Sequence, residues 1–252
     1  MKDKYTIWLD GESNSDAGIV ISSPLKLDGA VPNVKTHSIP GRNGDLHIYD
    51  GSFRNRKASV SAYVYSKDGV KYSFSRVNEW IWGAKGYRRL ETDDDLDHFM
   101  LARITNAAAV DARIRKIAPF AINFDCKPQR FLKSGEEEIF VESGMRIYNP
   151  TSFPARPIIK IAFADLAIKP GSSGDGRVVL GDSVINVTGM QYGTGNNLEY
   201  DSENDNAASS SGLNRNQHLS ISGDVVLSEG ETTITFDGGI ISVRIIPRWW
   251  EI

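Results

Sequence analysis

Apolar and polar residues alternate most clearly at positions 58–65, where Val60, Ala62 and Val64 are separated by Ser61 and Tyr63. That two-residue period sets one face of a strand against a core and leaves the other in water. Shorter runs rich in β-branched and aromatic residues recur at 5–9, 18–22, an extended segment ending at His37, 46–49, 88–92, 99–105 and 117–126. Asp10-Gly11, Asp28-Gly29 and Asp50-Gly51 supply the turns between several of them. One segment has the helical period instead. Between Ser73 and Trp82, residues Phe74, Val77 and Ile81 fall at i, i+3 and i+7 with Trp80 beside them, Ser73 is placed to cap and Gly83 to stop. A single helix in a strand-rich half lays its apolar stripe on a sheet, an α+β arrangement.

The pattern changes at 145–157. Pro150, Pro154 and Pro157 each lack a backbone donor and push the preceding residue toward extended geometry. This predicts an extended connector between two domains, with a new sheet opening at Ile158, Ile159 and Ile161. Beyond it, short strands are expected at 158–163, 177–180, 183–187, 197–200, 223–227, 231–236 and 242–247, with no helix, the spacing of a sandwich or jelly roll. Residues 201–217 are rich in Asn, Ser and Asp and read as a mobile surface loop. Arg248-Trp249-Trp250 closes the chain as an aromatic cap. The predicted architecture is mainly β in two domains: a β-sandwich-like domain with one α-helix at 1–144, the connector at 145–157, and a second β-sandwich at 158–252.

Composition narrows the function classes. The chain has 252 residues, 40% hydrophobic and 24% charged, enough to build two ordinary cores. A formal net charge of −3 gives no basic footprint for nucleic acid or an anionic membrane. Cys126 is the single cysteine, which rules out an intramolecular disulfide and reads as a buried, inert thiol. The N-terminus carries no apolar signal core and no run approaches the ~20 apolar residues that span a bilayer, so a soluble chain made in the cytoplasm is expected.

Candidate chemistry is sparse. The loop from Gly171 to Arg177 comes close to a phosphate-binding loop, but Arg177 and Val178 stand where Lys and Ser or Thr are needed. Asp93, Asp94, Asp95 and Asp97 resemble a calcium loop, yet His98 occupies the position of the obligatory Gly and Ile104 that of the bidentate Glu. His37 and His47 flank a glycine-rich loop, where metal or acid-base roles are conceivable, without further clustered ligands. There is no Gly-x-Ser-x-Gly elbow and no His-Glu-x-x-His. No catalytic, cofactor-binding or metal residue is assigned. A pair of acidic residues working as a glycosidase remains open. So does sugar stacking on Trp249 and Trp250, against the alternative that they seal a core. Asn186-Val187-Thr188 fits an N-glycosylation pattern and reads more simply as strand.

Several pieces line up in order along the whole chain: Trp8-Leu9-Asp10-Gly11, the loop Ile39-Pro40-Gly41-Arg42-Asn43-Gly44, the helix end Trp80-Ile81-Trp82-Gly83, Asp94-Asp95 before Phe99-Met100-Leu101-Ala102-Arg103, Phe124-Asp125-Cys126-Lys127-Pro128, Tyr148-Asn149-Pro150, Tyr200-Asp201-Ser202-Glu203 and Pro247-Arg248-Trp249. Taken together, the series resembles the distal tail protein (Dit) family of siphophages. The resemblance implies an N-terminal ring-forming domain, a galectin-like C-terminal sandwich, and a structural baseplate hub without catalysis. It implies a homo-hexamer that joins the tail tube protein to the tail-tip protein, offers its rim to receptor-binding proteins and lets genomic DNA pass without specific binding. The location implied is the virion tail. The loop of Ile39, Pro40, Gly41, Arg42, Asn43 and Gly44 is the first candidate for ring contacts, with Arg42 reaching an acidic patch next door; the alternative is an ordinary hairpin turn. The alternative reading is a lectin-like carbohydrate-binding protein.

Overall fold

The computed structural model describes residues 5–65, 70–106, 116–163, 174–190 and 197–252, and the side chains of 70–74 lie outside that description. The chain is mainly β and divides into two compact units, Met1–Arg130 with Ile252, and Phe131–Glu251.

The first unit contains β1 (Ile7–Leu9), β2 (Glu12–Ser13), β3 (Ile19–Ile21), β4 (Lys26–Leu27), β5 (Pro32–Ser38), β6 (Asp45–Phe53), β7 (Arg56–Tyr65), α1 (Val70–Trp82), β8 (Arg88–Thr92) and β9 (Asp95–Ile104), and β10 (Ile117–Leu132) begins in it. Its main sheet has the order β2-β1-β8-β9-β10-β7-β3, with β4 also on β7. The long β7/β10 ladder runs in unbroken antiparallel register from Tyr65 opposite Ile117 to Arg56 opposite Cys126. As the alternation predicts, Ala58, Val60, Ala62 and Val64 face the core, meeting Ile7, Leu9, Ile19, Ile122 and Phe124. Val77, Trp80 and Ile81 of α1 join the same cluster. The helix begins at Val70, which places Ser73 inside it and not at its cap; the Phe74 side chain lies outside the described residues. Arg88 secures the helix end. Its buried guanidinium donates to Trp80 O at 2.6 Å, to Leu9 O at 3.2 Å and to Asp10 Oδ2 at 2.8 Å. Burial is the largest single influence on Asp10 and opposes its charge, but the hydrogen bonds from Arg88 and Arg89 N and the Arg88 charge together outweigh it and hold the carboxyl below its ordinary range. Cys126 is fully buried, and burial pushes its thiol up to about 12.

The second unit comprises β11 (Ile139–Val141), β12 (Met145–Asn149), β13 (Ile158–Phe163), β14 (Gly176–Leu180), β15 (Ser183–Val187), β16 (Asn197–Asp201), β17 (Asn206–Ala208), β18 (Leu219–Ser222), β19 (Gly230–Gly238), β20 (Ile240–Ile246) and β21 (Trp250–Glu251). Two antiparallel sheets, β11-β20-β13-β16-β17 and β12-β19-β14-β15-β18, bury Ile159, Ile161, Val178, Ile185, Leu198 and Ile234 between them. This is a β-sandwich.

The division falls after Arg130 and not at the proline-rich stretch. Residues 145–157 belong to the second unit's own packing: β12 pairs with β19, and Ala155 bridges Leu227 with both residues buried. The prolines do stop the strand. The bend they create is then satisfied by Asn149, which donates to Phe153 O at 2.9 Å and Leu227 O at 3.0 Å while accepting from Thr151 N at 2.9 Å. A buried side-chain amide replaces the ladder bonds that proline cannot make.

Two further expectations change. Residues 201–217 include strand β17 and a short 3-10 turn at Asn216–His218. Their short polar side chains stitch the segment together: Tyr200 donates to Asp205 at 2.9 Å, Asn204 to Asp201 at 2.6 Å, and Asn216 accepts from Ala207 N at 2.5 Å. Residues 223–227 form no strand; β18 precedes them, and Leu227 makes the isolated bridge to Ala155.

Candidate assembly surface

Strands β5 and β6 form a two-stranded sheet of their own, which no described strand of the main sheet joins. The Pro-Gly pair builds its tip. Arg42 N donates to Ile39 O at 3.1 Å, and Gly41 has φ 78°, the positive value that the third residue of a proline-led type II turn requires. Gly44, at φ 81°, returns the chain to β6. At the base, Asp50-Gly51 does not end the strand as expected but bulges it. Asp50 accepts from Ser52 N at 3.0 Å and from Asn33 Nδ2 at 3.0 Å, Gly51 takes φ 84°, and β6 continues to Phe53.

Register fixes which side chains share a face. His37 lies opposite Leu46 and Lys35 opposite Ile48, so one face carries Lys35, His37, Leu46 and Ile48. Thr36 lies opposite His47 and Val34 opposite Tyr49 on the other. No described strand lies over either face. Leu46 is 46% exposed, Ile48 47% and Tyr49 50%. An isolated two-stranded ribbon is marginally stable in water, and one that shows apolar side chains on both faces lacks the third layer that would bury them. Arg42, exposed at the tip, makes no ion pair among the described residues. The same register separates the two histidines: His37 and His47 point to opposite faces, which removes a shared metal between them. His47 Nδ1 meets Thr36 Oγ1 at 3.1 Å.

A second exposed apolar patch lies on the outer face of the main sheet, where Tyr65 and Ile117 sit directly opposite each other beside Tyr63 and Pro119.

The remaining candidates resolve as structure. Asp93 and Asp94 make the tight turn from β8 to β9; Asp93 accepts from Thr6 N at 2.7 Å and Asp94 from Tyr5 at 3.0 Å. Asp95 is occupied by His98 at 2.7 Å and Arg130 at 2.6 Å. Of the glycine loop before Arg177, residues 171–173 lie outside the described residues; a side chain on Gly174 would collide with Met190 O, and Arg177 is paired with Asp237 at 2.8 Å. Asn186 lies in β15 opposite Arg177 and Ser220, a strand position. Trp249 is buried in the sandwich core, while Trp250 stacks on Phe153 with centroids 4.5 Å apart and donates to Pro154 O at 3.1 Å. Both rings are used internally. Among the described residues, no group of three or more His, Cys, Asp or Glu side chains could hold a metal ion, and no helix is long and apolar enough to cross a membrane.

Sequence reasoning picked out the loop at 39–44 and missed the exposed apolar residues below it, Leu46 and Ile48 on one face and Tyr49 on the other. Alternation in β6 was legible, but the same alternation describes a half-buried strand, and the sequence does not say which face a core covers.

No protein-family profile matches the chain, and no curated protein matches it. Among solved structures, the chain is similar to the crystal structure of SPP1 Dit (gp 19.1), described as a paradigm of hub adsorption apparatus in Gram-positive infecting phages. The TM-score is 0.70 at 13% sequence identity, over 98% of this chain and 99% of that one. The shared property is the fold, along the full length of both chains.

Proposed function

We propose that the chain is a structural protein of a phage tail, a distal hub that assembles into a ring of six copies at the end of the tail tube. The observation that carries this is the β5–β6 hairpin: a turn-built tip, exposed apolar side chains, and no described strand packed on it. Its setting in a fold similar end to end to a phage hub protein supports the same reading. A ring closes when each subunit offers two different patches that repeat head to tail. The hairpin is one such patch, and Ile39, Pro40, Gly41, Arg42, Asn43 and Gly44 form its leading edge. The partners are further copies of the chain, the tail tube protein, the tail-tip protein and receptor-binding proteins at the rim. Genomic DNA passes through without specific binding, in keeping with the net charge of −3. The role requires no catalytic group. The sandwich of the second unit gives a lectin reading no support at its C-terminal tryptophans, which are occupied within the fold.

Light scattering of the purified chain followed by particle imaging tests the reading. A mass about six times that of the subunit, with a central hole in projection, is the expected result. A monomer at every concentration, unchanged when tail tube protein is added, would overturn it.

A further inference from the structure

The second unit carries an edge of a different kind. β11 is the outer strand of its sheet, paired with β20 on one side and, among the described residues, with no strand on the other. Such an edge presents unpaired backbone donors and acceptors, and proteins defend it with charge, proline, a bulge or a covering loop. The opposite side of the sandwich is defended. Ala208 of β17 is bridged by Asn214 from the loop that follows, and β18 turns Ser220 and Ser222 outward. β11, with the sequence Ile139-Phe140-Val141, has no proline, bulge or covering strand among the described residues; its defences are its length of three residues and the acids at its ends.

Phe140 is 66% exposed. It begins a row that crosses the outer face of the sheet through Arg244, Lys160 and Glu199. Arg244 lies over the Phe140 ring at 4.8 Å, and both cations are matched by Glu138. The acids at the ends of the strand are different: Glu137 and Glu142 are exposed and make no ion pair among the described residues. The edge is also held in place. Ser143 Oγ donates to Phe236 O at 3.0 Å and accepts from Phe236 N at 2.9 Å, and Gly144 N donates to Ile234 O at 2.8 Å, so the turn after β11 is pinned to the other sheet.

We propose that β11 is a docking strand that takes an extended segment of a partner protein in which an apolar residue has Lys or Arg two residues away on the same face. Main-chain bonds along Ile139–Val141 extend the sheet, an apolar side chain packs on Phe140, and a cation two residues from it, on the same face, meets Glu142. This goes beyond the ring reading and stands independently of it, since the edge belongs to the second unit and involves no residue of the hairpin.

The test uses the full chain and a fluorescein-labelled extended peptide with a central valine and lysines two residues to either side of it, titrated by anisotropy. Two control peptides replace the lysines with glutamate or the central valine with proline. The expected result is saturable binding of the lysine–valine peptide, at least tenfold weaker binding of both controls, and slower amide exchange at 139–141 on addition of the peptide. Phe140→Ser should weaken binding at least fivefold without moving the thermal midpoint. The proposal is overturned by equal binding of the proline peptide, which would indicate charge alone, by binding indifferent to Phe140→Ser, or by no binding up to the solubility limit. It is equally overturned if the chain pairs with itself and Phe140→Ser abolishes that pairing, because the occupant would then be a second copy.

Discussion

Two hairpins in this chain are built alike and buried very differently. β14 and β15 are paired residue for residue and place Val178, Leu180, Ile185 and Val187 in the sandwich core. β5 and β6 are paired over a similar length, yet leave Leu46, Ile48 and Tyr49 in water. Pairing is therefore not what distinguishes them. The first is stable because a second sheet lies on its inner face; the second has the strand pattern without that sheet. A surface that carries the pattern of a core and lacks its cover is one that another molecule completes.

The sharpest way to break the comparison is the same kind of truncation in both hairpins. Ile185→Ala should cost about 2–5 kcal/mol, the range for deleting a large buried aliphatic side chain, read as a lowered urea midpoint. Ile48→Ala should change the unfolding free energy of the monomer by less than about 0.5 kcal/mol, as for other exposed positions. Similar losses would mean that the hairpin is already packed within its own subunit.

A smaller effect sharpens the account of the second unit. Burial is the largest single influence on Asp201 and opposes its charge, but the hydrogen bonds from Arg248 at 2.6 Å, Asn204 and Glu203 N and the Arg248 charge together outweigh it, so its carboxyl lies below the usual range. The native state thus holds the ionised form more tightly than the unfolded chain does. That stability is complete above the ordinary carboxylate value of about 4 and fades as pH falls through the lower folded value. Urea midpoints at neutral and acid pH should fall further for the natural chain than for Asp201→Asn. Equal falls would detach Asp201 from acid sensitivity.

The smallest expected effect is at the hairpin tip. Arg42→Ala removes one exposed charge and should weaken assembly several-fold, in line with the ~1 kcal/mol scale of surface ion pairs. An unchanged assembly constant would take Arg42 out of the interface.

Much of the fold was legible because burial and period agree. In β7 the alternation of Val60, Ala62 and Val64 is also the alternation of the core, and in α1 the spacing of Val77 and Ile81 is that of the buried face. Misreadings arose where one local signal has two structural uses. Pro150 and Pro154 end strand pairing, which reads as a domain joint, but Asn149 supplies the missing bonds from within the second unit. Asp50-Gly51 reads as a turn and forms a bulge. Asn and Ser at 201–217 read as a loop and instead bond to their neighbours in sequence, which fixes the backbone around β17. At the candidate surface, the glycine loop was visible because its turn needs Pro40 and Gly41. The exposed apolar residues below it were not, because exposure depends on which element lies above them, a long-range fact that no local pattern encodes.

The most direct test of the hairpin as an assembly surface is the light-scattering mass of the double variant Leu46→Ser, Ile48→Ser beside the natural chain, with circular dichroism and thermal midpoint recorded for both. The account predicts a ring-sized mass for the natural chain and a subunit mass for the variant, with fold and midpoint of the subunit preserved. Equal masses for the two proteins would contradict it.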